Sequence, residues 1–94
     1  MTTQITRLIT NQLIIGKTET HTNDILITDP YEIIPTAEGI QMLPFDEHIL
    51  GVKIEHLEVL NTNILYSKEC SAELRNTYLS GLTGLELSNN QLII

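Results

Sequence analysis

Short aliphatic segments recur along the chain, and polar turn residues separate them; this pattern constrains the fold more than any other feature. Ile, Val and Thr dominate the segments, and β-branched residues fit a pleated sheet. Asn, Asp, Gly and Pro stand between them. The sequence therefore predicts a series of short antiparallel strands. The predicted strands cover residues 3–10, 13–19, 24–28, 31–34, 39–45, 52–60 and 64–67.

Two irregularities are predicted within this series. Pro30 follows Asp29, and a proline cannot donate to a sheet ladder, so the chain bends or bulges there. In 52–60 the apolar alternation slips between Ile54 and Leu57, which indicates a second bulge. A helix is conceivable in that segment, but its Val and Ile content favours a strand.

A short C-terminal helix is predicted at about residues 71–80. Ser71 is placed as its N-cap, and Leu74 and Tyr78 share one face at i, i+4 spacing. Gly81 is placed as the terminator. The tail 82–94 ends in three apolar residues and is expected to dock against the domain or a neighbour.

Length and composition predict one domain over 1–94 with an aliphatic core. The chain is 41% hydrophobic, with fourteen Ile, fourteen Leu, one Phe and no Trp. A domain of this size buries a modest fraction of its surface. Self-association is therefore an expected source of further stability.

Charge and cysteine content limit the partners and the compartment. Five basic residues face twelve acidic ones, giving a net charge of −7, which disfavours non-specific duplex binding. The single Cys70 cannot form an intrachain disulfide, and a reducing cytoplasm is expected. No leader-like start and no apolar run of membrane-spanning length are present, so no membrane partner is expected.

The sequence contains no recognisable catalytic or metal-binding motif. His21, His48 and His56 are widely spaced, and no carboxylate pair has the pattern of an acid–base catalyst. Cys70 precedes the helix but has no His–acid partners nearby, so an inert thiol is the favoured interpretation. We expect no enzyme activity, no cofactor and no metal.

Tyrosines are candidates for base stacking. The alternative is stronger for Tyr66, in the last strand, and for Tyr78, on the apolar side of the helix. Both are interpreted as core or interface residues, while Tyr31 stays open.

Two segments carry a resemblance to a known family. VLNTNI (59–64), between 52–60 and 64–67, has the shape of a motif of pattern apolar–Arg/Lys–Gly–polar–polar–apolar. TRLITNQLIIGK, with Gly16, and the following DILITD have the shape of its partner motif. The chain resembles the Sm-like (LSm/Hfq) superfamily over about residues 4–80, and in particular small cyanophage proteins with a helix after the barrel. The resemblance implies a phage origin and a strongly bent, five-stranded antiparallel barrel of SH3 type over about 3–69.

In that family an Asn and an Arg-Gly pair line a pocket for an RNA base. By position Asp24 replaces the Asn, Leu60 the Arg and Asn61 the Gly, and Asn tolerates the left-handed conformation of a glycine. The alternative is that 61–63 is simply a turn between two strands. The nucleic-acid-binding residues implied by position are Thr22, Asn23, Asp24, Asn61 and Thr62.

The resemblance also implies a homo-oligomeric ring of five to seven subunits. In such a ring 52–60 of one subunit pairs with 64–67 of the next. Two functions follow. One is binding of single-stranded RNA or DNA in nucleic-acid processing. The other is a structural or adaptor ring that binds proteins and has lost the base pocket, which the acidic charge and Leu60 favour.

Overall fold

Six strands and a C-terminal helix make up most of the computed structural model, which describes residues 1–83 and 92–93. The protein is mainly β, as the sequence predicts. It has six main strands, whereas the resemblance implies a barrel of five. A 3-10 turn covers Asn61–Asn63. The other elements are β1 Thr2–Leu8, β2 Leu13–Thr20, β3 Asp24–Thr36, β4 Gly39–Pro44, α1 Glu47–Leu50, β5 His56–Leu60, β6 Ile64–Glu69, α2 Ala72–Thr83 and β7 Leu92–Ile93.

All strand pairs of the described chain are antiparallel, in the order β6-β1-β2-β3-β4-β7, and β5 also pairs with β3. Besides β2, the 13-residue strand β3 has two partners: Asp24–Thr28 pairs with β5, and Tyr31–Thr36 pairs with β4. Between these halves Asp29 has a φ of 52°, and the register with β2 shifts between Ile15 and Lys17. The predicted bulge at Asp29-Pro30 is confirmed, and it lets one strand belong to two parts of a bent sheet.

The connection between β5 and β6 shows how strongly the sheet curls. Three residues in a 3-10 turn advance about 6 Å, whereas the four strand spacings from β5 through β3, β2 and β1 to β6 measure about 19 Å in a flat sheet. The short connection therefore requires the sheet to bend round on itself. Within residues 1–83 and 92–93, β5 pairs only with β3 and β6 only with β1. The predicted barrel is thus not closed, because β5 and β6 meet at the turn without pairing with each other. We call β5 and β6 the two edge strands.

Each face of the sheet carries its own apolar core. The first core lies inside the curl, and the second lies between the opposite face and α2. The buried members of the first core are Leu8, Ile14, Ile25, Ile27, Phe45 and Val59. Those of the second are Ile15, Tyr31, Ile33, Met42 and Tyr78. The core is aliphatic apart from one Phe and two Tyr, in accordance with the composition.

Helix α2 starts as predicted but ends later. Ser71 Oγ accepts a hydrogen bond from the Leu74 N–H at 3.2 Å, which satisfies one free donor of the first turn. The helix continues through Gly81 to Thr83, so the prediction that Gly81 ends it is wrong. Gly81 is buried and Leu82 packs against the second core, so tertiary packing carries the helix past the glycine. Of the predicted tail, 84–91 and 94 lie outside the described residues, and β7 pairs with Gln41 and Met42.

The segment before β5 also differs from the prediction. Residues 52–55 are not in the strand, because the Asp29 N–H donates to Glu55 O at 2.8 Å and ties this segment to the bulge. Ile54 packs against the first core from outside the ladder, which explains the slip in the apolar alternation. The short helix α1 was not predicted; left-handed residues, Asp46 and Gly51, stand at its two ends.

Replacing the N-cap tests how much α2 depends on its first turn. We expect Ser71→Ala to lower the free energy of unfolding by about 1 kcal/mol, since the N–H of Leu74 loses its acceptor. Urea denaturation followed by circular dichroism measures the change. Ser71→Asp, which keeps an acceptor at the same position, serves as the control. A loss in the aspartate variant equal to that in the alanine variant contradicts the capping role.

Candidate functional site

The 3-10 turn between the two edge strands brings three segments of the chain together. The Asn61 N–H donates to Asn23 O at 2.9 Å, and Asn61 Nδ2 donates to Thr22 O at 3.2 Å. On its other side, the Ile9 N–H donates to Asn63 O at 2.9 Å. The turn is therefore fixed to the β2–β3 loop at one end and to the β1–β2 loop at the other. Thr22, Asn23 and Asn61 form one exposed surface, and Thr62 is exposed on the turn itself.

Asn61–Asn63 form a turn, as one of the two interpretations of the sequence predicts. It is not a hairpin, because the strands it joins pair with β3 and β1 and not with each other. Asn61 does not adopt the left-handed conformation; among the described non-glycine residues only Asn11, Asp29 and Asp46 do. A 3-10 turn closed by the Ile64 N–H on Asn61 O needs no left-handed residue. Asn61 contributes instead through its amide, which holds the neighbouring loop.

Asp24, which the resemblance predicts to be a binding residue, is hydrogen-bonded to His21. His21 Nδ1 lies 2.9 Å from Asp24 Oδ1, and His21 Nε2 lies 2.9 Å from Glu19 Oε2. Ionised carboxylates only accept hydrogen bonds, and a neutral imidazole has one N–H, so both contacts require the imidazolium. The pKa of His21 is raised above its ordinary value, first by the hydrogen bond to Glu19 and then by that to Asp24. When its ring is protonated, His21 bridges the two carboxylates with one positive charge.

The His21 bridge gives a testable pH dependence. In an NMR titration of the ring C–H resonances, we expect the pKa of His21 to exceed 6.5 and Glu19→Gln to lower it. Because the folded pKa is raised, the stabilisation from the bridge is present at low pH and is lost as the pH rises through that pKa. Glu38→Gln, on the β3–β4 hairpin, is the control for a change in net charge. Identical His21 titrations in the parent and Glu19→Gln would contradict the bridge.

The remaining surface around the turn is acidic and apolar. Glu19 is in register with Leu26 and Leu26 with Glu58, so both carboxylates lie on the sheet face that carries Asp24. Leu60 is 54% exposed and carries no charge. Contact with a ligand here would have to use polar groups of the turn and loop, not attraction to phosphate.

The tyrosines divide between the core and the surface. Tyr78 and Tyr31 are buried with ring centroids 5.9 Å apart, as expected for Tyr78. Tyr66 is 41% exposed on β6, so it is not a core residue, and its interpretation as an interface residue stays a prediction. Arg7 on β1 and Lys68 on β6 both lie about 6 Å from the Tyr66 ring. Sequence reasoning missed this group, because residues 7 and 66 meet only through the pairing of β1 with β6.

Cys70 lies just before α2, and its side chain is partly buried. Burial raises the pKa of the Cys70 thiol, whose Sγ lies 3.6 Å from Thr3 O, so the helix start does not favour a thiolate. Among the described residues, no three His, Cys, Asp or Glu side chains form a metal-binding group. The carboxylates around His21 contact opposite ring nitrogens and do not converge on one point. No helix of the described chain is long and apolar enough to cross a membrane.

The comparisons with known proteins return no relative: no family model matches the chain, and no curated protein sequence is similar to it. The fold defines the protein as a mainly β protein with one strongly bent antiparallel sheet and a helix packed on its outer face.

Proposed function

We propose that this protein assembles into an Sm-like ring and binds single-stranded RNA or DNA at the surface formed by Thr22, Asn23, Asp24, Asn61 and Thr62. The observation that carries the proposal is the position of β5 and β6. Each has one side paired within the described chain, and the two strands flank the same turn. Edge strands with free backbone groups favour pairing with another chain. Pairing β5 of one copy with β6 of the next, repeated by rotation, gives a closed ring.

Exposed apolar side chains around the turn support the same contact. Ile9 is 57% exposed, Leu60 54% and Leu65 62%, and all three lie at or beside the ends of the edge strands. Leu65 is a bulged residue, because the register passes from Arg7–Tyr66 directly to Leu8–Ile64. Burying these side chains between copies would supply the hydrophobic contribution that a small domain lacks.

Light scattering coupled to gel filtration tests the ring. We expect a mass five to seven times that of the 10.6 kDa chain. Leu60→Glu combined with Leu65→Glu should dissociate it, because charged groups would be buried in the contact. Ile49→Glu, which alters an exposed apolar residue of α1 outside β5 and β6, should keep the parent mass. A monomeric parent protein would refute the ring.

Nucleic-acid binding has a separate test. Labelled oligo-U and oligo-A are titrated at moderate and low salt, and anisotropy gives the affinity. The Asn61 amide can donate and accept hydrogen bonds, and the Thr62 hydroxyl can do both, so these groups can read a base edge. Asn61→Ala and Thr62→Ala should weaken binding, whereas Asn76→Ala on the exposed side of α2 should not. If all three variants bound the oligonucleotides with the affinity of the parent protein, this surface would not be the binding site.

The second candidate function is a ring that binds proteins. The exposed Leu60 and the acidic face around Asp24 favour it, because neither attracts a phosphate. An intact ring that binds neither oligonucleotide, even at low salt, supports the adaptor function and excludes the first.

A further inference from the structure

An exposed tyrosine with two cations beside it forms a second polar surface of the protein. Tyr66 on β6 is in register with Arg7 on β1, and Lys68 lies two residues further along β6 on the same face. Arg7 Nε donates to the Tyr66 hydroxyl at 3.3 Å, and the Arg7 Cζ lies 6.0 Å from the ring centroid. Lys68 Nζ lies 5.9 Å from the same centroid. The ring therefore has two cationic groups within about 6 Å of its centroid and is still 41% exposed.

The two cations of this group have no ion-pair partner among the described residues. Lys17 and Lys53, by contrast, both lie beside Asp29, at 3.7 Å and 4.0 Å. Within the described part of the chain, neither Arg7 nor Lys68 is at ion-pair distance from an Asp or Glu side chain. In a chain with a net charge of −7, two of the five basic residues are thus placed around one exposed aromatic ring.

A groove of about 260 Å³ adjoins the tyrosine on the Arg7 side. Arg7 contacts both Tyr66 and the groove wall, because its Nη1 also donates to Asn11 O at 2.9 Å. Glu32 and Pro35 also line the groove, whereas Tyr66 does not. The volume is slightly below the roughly 300 Å³ at which sites for drug-sized ligands begin.

We propose that Tyr66, Arg7 and Lys68 bind a nucleoside phosphate, free or as one unit of a single strand. The base stacks on Tyr66, and the phosphate lies between the guanidinium and the ammonium group. Aromatic stacking tolerates any base, and charge-assisted hydrogen bonds from Arg and Lys are the strongest contacts a protein makes to phosphate. This site uses none of the residues of the turn, and its argument does not depend on a ring.

Binding is measured for UMP and AMP by calorimetry and for labelled oligo-U and oligo-A by anisotropy, and tyrosine fluorescence quenching is followed in the parent protein. Tyr66 is the exposed tyrosine, since Tyr31 and Tyr78 are buried, so quenching reports stacking on it. We expect Tyr66→Ala to weaken binding roughly five- to hundredfold, the range found when a stacking residue is removed. Tyr66→Phe, which keeps a stacking ring, should stay within about twofold of the parent by anisotropy.

Charge variants test the phosphate contacts. Arg7→Gln and Lys68→Gln should each weaken binding and reduce the slope of log affinity against log salt by about one. Lys53→Gln removes the same charge beside Asp29 and should leave both quantities unchanged. If Tyr66→Ala fails to fold, the Arg7 and Lys68 variants still test whether this site binds the phosphate. Mononucleotide binding with the same dependence on Tyr66 identifies a free nucleotide as sufficient, whereas binding of oligonucleotides alone identifies the single strand as the ligand.

The outcomes separate this site from the turn surface. Binding that depends on Tyr66, Arg7 and Lys68 but not on Asn61 or Thr62 supports this proposal and removes the turn as the site. Binding that depends on Asn61 and Thr62 alone overturns it and leaves the proposed function intact. Absence of binding to any of the four probes at low salt overturns both.

Discussion

Replacing Tyr78 by alanine is expected to lower the free energy of unfolding by about 3–5 kcal/mol. The side chain is 1% exposed in the second core and meets the Tyr31 ring edge to face at 82°. Its hydroxyl donates to Asp29 O at 2.7 Å and lies 3.3 Å from Thr28 O. The substitution therefore removes both an aromatic ring from the core and the link between α2 and the bulge of β3. A domain of this size is stable by about 5–14 kcal/mol, so the loss is a large fraction of the total.

Two control variants separate the contributions of ring and hydroxyl. Tyr78→Phe keeps the ring and should cost about 1 kcal/mol, the net value of one buried hydrogen bond. Leu79→Ala, at the next position of the same helix, truncates a side chain that is 37% exposed and should cost less than Tyr78→Ala. Urea denaturation measures all three variants. Equal losses for Tyr78→Ala and Leu79→Ala would mean that the second core does not depend on this ring. Burial raises the pKa of Tyr78, so the hydroxyl stays a donor over the ordinary pH range.

Gly16→Ala is expected to lower the free energy of unfolding by about 1–3 kcal/mol, and Gly16→Val should lower it further. A Cβ at this position would overlap the Ile27 side chain and lie 3.1 Å from Thr28 O. Ile27 is fully buried and β-branched, so it has little freedom to move aside. The close approach of β2 to β3 beside the bulge thus requires a residue without a side chain.

A double-mutant cycle and a second glycine test this explanation. Ile27→Ala opens space, so the Gly16→Ala/Ile27→Ala pair should cost less than the sum of the single variants in urea denaturation. Gly51→Ala meets no atom within 4 Å but has a φ of +76°, so its cost of about 1–2 kcal/mol comes from the backbone alone. Exact additivity of the two changes at Gly16 and Ile27 would contradict steric overlap.

The local sequence pattern was sufficient to predict the strands and the start of α2. The β-branched segments are strands, the proline after Asp29 marks a bulge, and Ser71 caps α2. These features depend on residues close together in the chain, and local propensity reports them well. The end of α2 was missed at Gly81, because packing of Leu82 against the second core outweighs the preference of glycine for a helix end.

The candidate sites were predicted less completely. The resemblance placed Asn61 near Thr22 and Asn23, and the hydrogen bonds show that they are in contact. Residues on different strands meet only when the register is known, and a shift of one residue exchanges the faces of a strand. The contact between Arg7 and Tyr66 depends on such a register, across 59 residues of chain, and could not be predicted.

The sequence alone determined that this chain forms short antiparallel strands, an aliphatic interior and a C-terminal helix. Spacing and propensity act within a few residues and need no further information. The tertiary structure decided that the sheet curls without closing, that its two edge strands meet at Asn61–Asn63, and that Tyr66 is exposed between Arg7 and Lys68. These features depend on strand register and on packing between distant segments, which the order of residues does not reveal by itself.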